Sequence, residues 1–312
     1  MARVRYSVLG TTLAHLPDGT PVTLGGARLR ALLTVLALSP GRAVPVGRLV
    51  DEVWDGEPPA DAAGALQALV GRLRRSLGAA AVVLGPGGYQ LAAEREDVDA
   101  YRFEHFAREA ANALADEDPV KALALYDEGL ALWRGPALAD LPDRGAEAAR
   151  WEARRLEARR GRFAAALGLG RAEQILPELA ALAEAHPLDE PLQAVRLRAL
   201  RDAGRAAEAL AAYEGVRGRL AEQLGADPGA ELRALHAELL DPATAATAAA
   251  PATAATPATG AAPAAPSAPE RAVGSVATPT ALQAPDTPTA PQAPETTAPQ
   301  APESTPTPTP PA

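Results

Sequence analysis

The stretch DAAGALQALVGRLRRSLG, Asp61 to Gly78, decides the fold. Leu66, Leu69, Val70, Leu73 and Leu77 fall at i, i+3, i+4, i+7 and i+11, so on a helix they make one apolar stripe that must face a core. The opposite side carries Gln67, Gly71, Arg72, Arg74 and Arg75. Asp61 can cap the start and Gly78 can close the end, which predicts a rod of roughly 24 Å at 1.5 Å per residue. A rod of that size fits a DNA major groove. Taken alone, the stretch reads as a surface helix with a solvated basic face, and its neighbours change that weighting.

Immediately upstream, DGEPPAD is too rich in proline to be helical. Before it, Val46 to Trp54 presents Leu49, Val50, Val53 and Trp54 as a second helix, and Arg28 to Leu38 gives a first, stopped by Pro40 and Gly41. The chain opens on a short strand at Val4 to Leu9 and a hairpin turn at Asp18 and Gly19, so three short strands are expected there. Downstream, Val82 to Leu84, the turn GPGG and Tyr89 to Leu91 form another hairpin. Strands, three helices with the third longest, then a hairpin: this is the order of a winged helix-turn-helix. In it the basic face of 61–78 reads the groove through Gln67, Arg72, Arg74 and Arg75, and Tyr89 on the wing lies along the backbone or minor groove. Arg28, Arg30, Arg42 and Arg48 are candidate phosphate clamps, against the plainer reading of each as a solvated surface charge.

Of the 312 residues, the first 93 hold nine arginines against six acids, a balance of +3 within a chain of net charge −9. Residues 94–240 carry −8 and the remainder −4. A modestly basic module on an acidic body suits a DNA-binding head joined to a protein-binding domain. Lys121 is the only lysine, which carries no functional weight.

From Val98 the pattern is wholly helical, with helices expected at 99–116, 119–133, 146–168, 171–185, 189–203, 205–223 and 228–240. GRAEQ at Gly170 returns as GRAAE at Gly204, thirty-four residues on, and ALALY at 122–126 resembles ALAAY at 209–213. That period belongs to tetratricopeptide-like repeats, whose stacked helix pairs leave a groove for protein contacts. From Asp241 the chain is alanine, threonine and proline, with seventeen of the thirty-one prolines, so disorder is expected over 241–312. The expected fold is therefore mainly α in three parts: a winged helix with small β-sheets at 1–93, an all-α repeat domain at 98–240, and the tail.

There is no cysteine, so no disulfide or thiolate metal site is possible. His15, His105, His186 and His236 lie far apart with no ligand spacing, and no metal or cofactor is expected. GPGG at 85–88 opens no helix and is a turn, not a phosphate cradle. No Gly-x-Ser-x-Gly elbow occurs, and no constellation argues for an enzyme. The N-terminus lacks the apolar run of a signal peptide and no segment has the roughly 18 apolar residues of a membrane span, so a soluble cytoplasmic protein is expected, with no receiver domain upstream.

With these elements placed, the order of motifs resembles the AfsR/SARP-type antibiotic regulatory activators, an OmpR-like winged helix joined to a bacterial transcriptional activator domain. The resemblance rests on VLG at 8–10, VGRLVDEVW at 46–54, EPPA at 57–60, ALQALVGRLRRSLG at 65–78, GYQL at 88–91, ALWRGPALADL at 131–141 and ELGADPGAELRALHAELL at 223–240. It implies an activator that binds direct repeats in promoters of secondary-metabolite gene clusters and recruits RNA polymerase, often as a homodimer. By the same resemblance the loop with Asp55, Glu57, Pro58 and Pro59 approaches polymerase. The chain departs from the family at Gly64, Leu69 and Gly71 and in its uncharged wing. Each interior glycine costs a helix about 1 kcal/mol relative to alanine. The other function class that stays open is a repeat-built scaffold whose degenerate winged helix no longer binds DNA specifically.

Overall fold

Why the chain turns where it does is visible at its helix ends. In the computed structural model, which describes residues 3–241, helix α1 (Ala27–Ala37) is followed by α2 (Val46–Trp54) and α3 (Ala62–Leu77). The Asp61 carboxylate accepts from the Gly64 amide at 2.8 Å and fixes the start of α3. At its other end Gly78 adopts φ 103°, where a side chain would be strained. All five residues of the apolar stripe are buried, each contributing about 2 kcal/mol of transfer free energy.

Strands β1 (Arg5–Ser7) and β2 (Leu13–His15) pair antiparallel ahead of α1. The third strand expected there is reduced to a single bridge, His15 to Pro21, flanked by Leu16 N–H on the Thr20 carbonyl at 2.9 Å and Val22 N–H on the Ala14 carbonyl at 2.8 Å. After α3, β3 (Val82–Gly85) and β4 (Gly88–Leu91) form the expected hairpin. Val44 extends it on the other side: Val44 N–H donates to the Tyr89 carbonyl at 2.8 Å and Tyr89 N–H to the Val44 carbonyl at 3.1 Å. The approach is so close that a Cβ on Gly88, which sits at φ 121°, would collide with the Val44 carbonyl oxygen.

Seven helices follow among the described residues: α4 (Asp99–Ala115), α5 (Pro119–Leu130), α6 (Gly145–Gly168), α7 (Ala172–Ala185), α8 (Glu190–Asp202), α9 (Ala206–Leu224) and α10 (Ala230–Leu240). The repeat read from the sequence corresponds to a repeated turn. Between α6 and α7, Gly170 at φ 68° lets Arg171 N–H reach the Ala166 carbonyl at 3.0 Å and its own N–H the Leu167 carbonyl at 2.9 Å. Gly204 does the same between α8 and α9, with Arg205 N–H on Leu200 at 2.8 Å and Gly204 N–H on Arg201 at 2.9 Å. Between α4 and α5 the left-handed position is taken by Glu117 at φ 58°, with Asp118 N–H on Ala113 at 2.8 Å. All three are Schellman closures, in which the left-handed residue turns two amides back onto the last carbonyls of the helix.

Two hydrophobic clusters hold most of the buried apolar side chains. One runs from Tyr6 through Leu32, Leu66, Leu73 and Leu91 to Phe103, Trp133, Leu138 and Trp151, passing across residues 93–98. The other, from Phe163 to Leu239, fills α6 to α10. Where the first cluster joins the winged helix to the repeats, the loop containing ALWRGPALADL lies against residues 8–12. Arg134 N–H donates to the Leu9 carbonyl at 2.8 Å and Leu138 N–H to that of Val8 at 3.0 Å. The Asp99 carboxylate accepts from the amides of Val8, 2.7 Å, and Leu9, 3.2 Å, with the Arg134 guanidinium 3.5 Å away. Burial raises the Asp99 pKa above the ordinary carboxylate value, and the amides and Arg134 oppose that rise. Asp140 accepts from Thr12 N–H at 2.6 Å and from Arg30 Nε at 2.7 Å. The disorder expected of the tail falls, apart from Asp241, outside the described residues.

Candidate nucleic-acid interface

The outward face of α3 is defined by what its inner face buries. Gln67, Arg72 and Arg75 are exposed, and no ion pair holds either arginine among the described residues. Along the centre of that face run Gly64, Ala68, Gly71 and Arg75, at i, i+4, i+7 and i+11, so the guanidinium of Arg75 stands beside a strip that carries almost no side chain. Gly64 is the third residue of α3 and its amide is the one Asp61 caps, so the interior-glycine penalty expected there does not apply; it applies to Gly71 alone.

Arg74 is corrected by the structure. It is half-buried on the flank, and its Nε donates to the Val82 carbonyl at 2.8 Å, tying the end of α3 to the first wing strand. A groove-reading role does not fit a side chain held there. Tyr89 is corrected as well: it is 6 % exposed and belongs to the core, because the Val44 bridge makes β4 an inner strand. The wing instead presents Leu84, 64 % exposed, and Val83 beside the turn at Pro86 and Gly87. A third correction concerns Arg30, whose guanidinium is engaged by Asp140 and the Leu24 carbonyl and is unavailable as a phosphate clamp.

The remaining candidates differ in freedom. Arg42 is exposed, in the turn between α1 and Val44, and makes no ion pair among the described residues. Arg28 is exposed on the first turn of α1, its guanidinium 5.9 Å from the Trp54 ring centre. Arg48 is partly neutralised by Glu52, one helical turn away at 3.4 Å. The loop Asp55–Ala60 is exposed throughout, turned out of α2 by Asp55 at φ 50° and Gly56 at φ 77°. Sequence reading missed Arg5, exposed on β1 beside the pair that Arg3 makes with Glu94 and Asp97; nothing in its local pattern marks it. Among the described residues no cluster of His, Cys, Asp and Glu could hold a metal ion, and no helix is long and apolar enough to cross a membrane.

This arrangement can do one kind of chemistry: a rigid helix offers a glutamine and two uncommitted guanidiniums, groups that pair bidentately with adenine and guanine edges or with phosphates. Known proteins share the architecture. A family profile described as "Transcriptional regulatory protein, C terminal" matches residues 19–89, and one described as "Bacterial transcriptional activator domain" matches residues 98–240. The Regulatory protein DnrI of Streptomyces peucetius is 37% identical over 251 residues, covering 76% of this chain and 92% of that protein. Regulatory protein AfsR of Streptomyces griseus is 38% identical over 239 residues, which are 76% of this chain but 24% of that protein, so the chain spans about a quarter of the longer relative. Among solved structures, Mycobacterium tuberculosis EmbR in complex with a low affinity phosphopeptide superposes with a TM-score of 0.71 at 32% identity, covering 79% of this chain and 69% of that one. With a winged helix that offers an open arginine face, matched over residues 19–89, and a helical-repeat body matched over 98–240, the chain belongs to the AfsR/SARP-type family of DNA-binding transcriptional activators.

Proposed function

We propose that the protein activates transcription of a secondary-metabolite biosynthetic gene cluster by placing α3 in the major groove at direct repeats in its promoters. Gln67, Arg72 and Arg75 read base edges, while Arg28, Arg42 and Arg48 hold phosphates. The loop Asp55, Glu57, Pro58 and Pro59 meets RNA polymerase, and the repeat region supports pairing of two copies on adjacent sites. The protein works in the cytoplasm by binding and not by catalysis. One observation carries this reading: Arg72 and Arg75 are exposed on the outer face of α3 and have no acidic partner there, whereas most arginines of the repeat helices are ion-paired.

Retention of genomic fragments by the purified protein tests it. Promoters with a spaced direct repeat are expected to be enriched, and Arg72→Ala with Arg75→Ala to abolish the enrichment. The second reading, a scaffold with a degenerate winged helix, is favoured by the uncharged wing tip at Leu84 to Gly87. Salt separates the two, because each neutralised phosphate adds about 0.9 to the slope of log affinity against log salt. A slope near zero would leave the scaffold as the better account.

A further inference from the structure

Between α7 and α9, with Arg196 and Leu200 of α8 behind, lies a groove of about 830 Å³. Its two walls correspond residue by residue. Glu173 and Glu184 mark the ends on α7, Glu208 and Arg219 those on α9, eleven residues apart in each case. Eleven residues of helix span about 16 Å, the length of roughly five residues of extended chain. Small side chains, among them Ala180, Ala212 and Gly215, keep the space between the walls open. Pro177 lies on the α7 wall and has no amide to give to the Glu173 carbonyl one turn back, so that wall lacks one of its helical donors.

The charges at the two ends are not equivalent. At one end Glu208 is held by Arg205 at 2.6 and 2.7 Å. At the other, Arg219 folds back over Gly215; its Nε is shielded from solvent and has no hydrogen-bond acceptor. Glu184 lines the same end, yet no ion pair joins it to Arg219 among the described residues. A desolvated guanidinium N–H without an acceptor costs more than an exposed one, and the terminal Nη atoms of the same group, which have no acid of this chain on them among the described residues, are left to a ligand carboxylate.

We infer that this groove binds an extended peptide that presents an acidic side chain to Arg219 and a basic side chain to Glu184. The groove length selects an extended segment of about five residues. The unpaired charges at the far end set the polarity of the bound chain, since a peptide running the other way meets the closed Arg205–Glu208 pair. This inference is independent of the DNA face and stands or falls separately from it.

The test uses the full chain and fluorescent, end-blocked hexapeptides built on alternating alanine and proline, which favour an extended conformation. One carries Glu and Lys, one Gln and Lys, one Glu and Gln, and one two Gln. The Glu/Lys peptide is expected to bind at least tenfold tighter than the Gln/Gln peptide by fluorescence polarisation. Arg219→Gln should remove the preference for Glu and keep that for Lys; Glu184→Gln should do the reverse. Unchanged urea unfolding midpoints check that both variants remain folded, and either variant suffices if the other does not fold. Equal affinity for the four peptides, or a Glu preference that survives Arg219→Gln, overturns the inference. A dimer that Arg219→Gln dissociates in sedimentation equilibrium would also overturn it, by showing that a second copy fills the groove.

Discussion

Two sets of arginines in the winged helix have opposite fates. Arg30 and Arg74 spend their guanidiniums inside the protein, on Asp140 and on the Val82 carbonyl, while Arg72 and Arg75 face outward with no acid to hold them. All four have the same chemistry, so position alone separates them. A guanidinium that sits over a seam completes the seam's hydrogen bonds. One that projects from the middle of an outer helix face stays available to a polyanion, and only the second kind adds to affinity for DNA.

The seam should respond most strongly to mutation. Asp99→Ala removes the acceptor of two amides, Val8 and Leu9, and leaves Arg134 without its buried partner. Each amide left unsatisfied costs about 1–3 kcal/mol, so a loss of about 3 kcal/mol or more is expected in urea unfolding. Asp99→Asn sharpens the point through pH. The folded-state pKa of Asp99 is raised by burial, so the folded protein holds this proton more tightly than the unfolded chain. Its contribution to stability is present below the unfolded value, about 3.9, and is lost as pH rises through the raised folded value. The difference in stability between wild type and Asp99→Asn should therefore shift against the wild type over that window; a difference independent of pH would break the assignment.

On the outer face the expectation is reversed. Arg72→Ala with Arg75→Ala should cost about 2–4 kcal/mol in promoter affinity if each arginine contributes a base contact, with an unfolding midpoint unchanged within error. Arg74→Ala should do the opposite in kind: lower stability by about 1 kcal/mol through the lost bond to Val82, and affect DNA binding only as far as the wing shifts. Equal loss of DNA affinity in the Arg74 and Arg75 variants would erase the distinction drawn between the two fates.

How much of this could be read from the sequence depends on the distance over which each contact is made. The limits of α2 and α3 follow from local signals, such as Asp61 three residues before the amide it caps and Gly78 past the last leucine. The period of thirty-four gave the repeat because Gly170 and Gly204 close equivalent turns. The equivalent turn at Glu117 was hidden, since a glutamate there does not look like a left-handed position. Replacing it with glycine should stabilise the protein by about 1 kcal/mol, measured as a raised urea midpoint. Arg30 and Tyr89 were misread because their partners, Asp140 and Val44, lie far along the chain. Arg74 was partly legible: it follows Val70 by four and precedes Leu77 by three, which sets it beside the buried stripe, one step of the helix away from Arg75.

The smallest effect bears on how closely α3 approaches its target. A Cβ at residue 71 would meet nothing nearer than the Arg75 Nη1 atom at 3.8 Å, an ordinary contact, so Gly71→Ala fits without strain. Relief of the glycine's backbone entropy should raise stability by about 0.5–1 kcal/mol. Ala68 already bears a methyl group one turn earlier on the same face, so a second methyl should change promoter affinity by less than about threefold, or 0.65 kcal/mol by the logarithmic relation of affinity to free energy. A stabilised variant that loses more than that would mean that the backbone of α3 itself touches the bases at residue 71. The side-chain-free strip would then be a feature of recognition, and the contrast between the seam and the outer face would have to include backbone as well as guanidinium contacts.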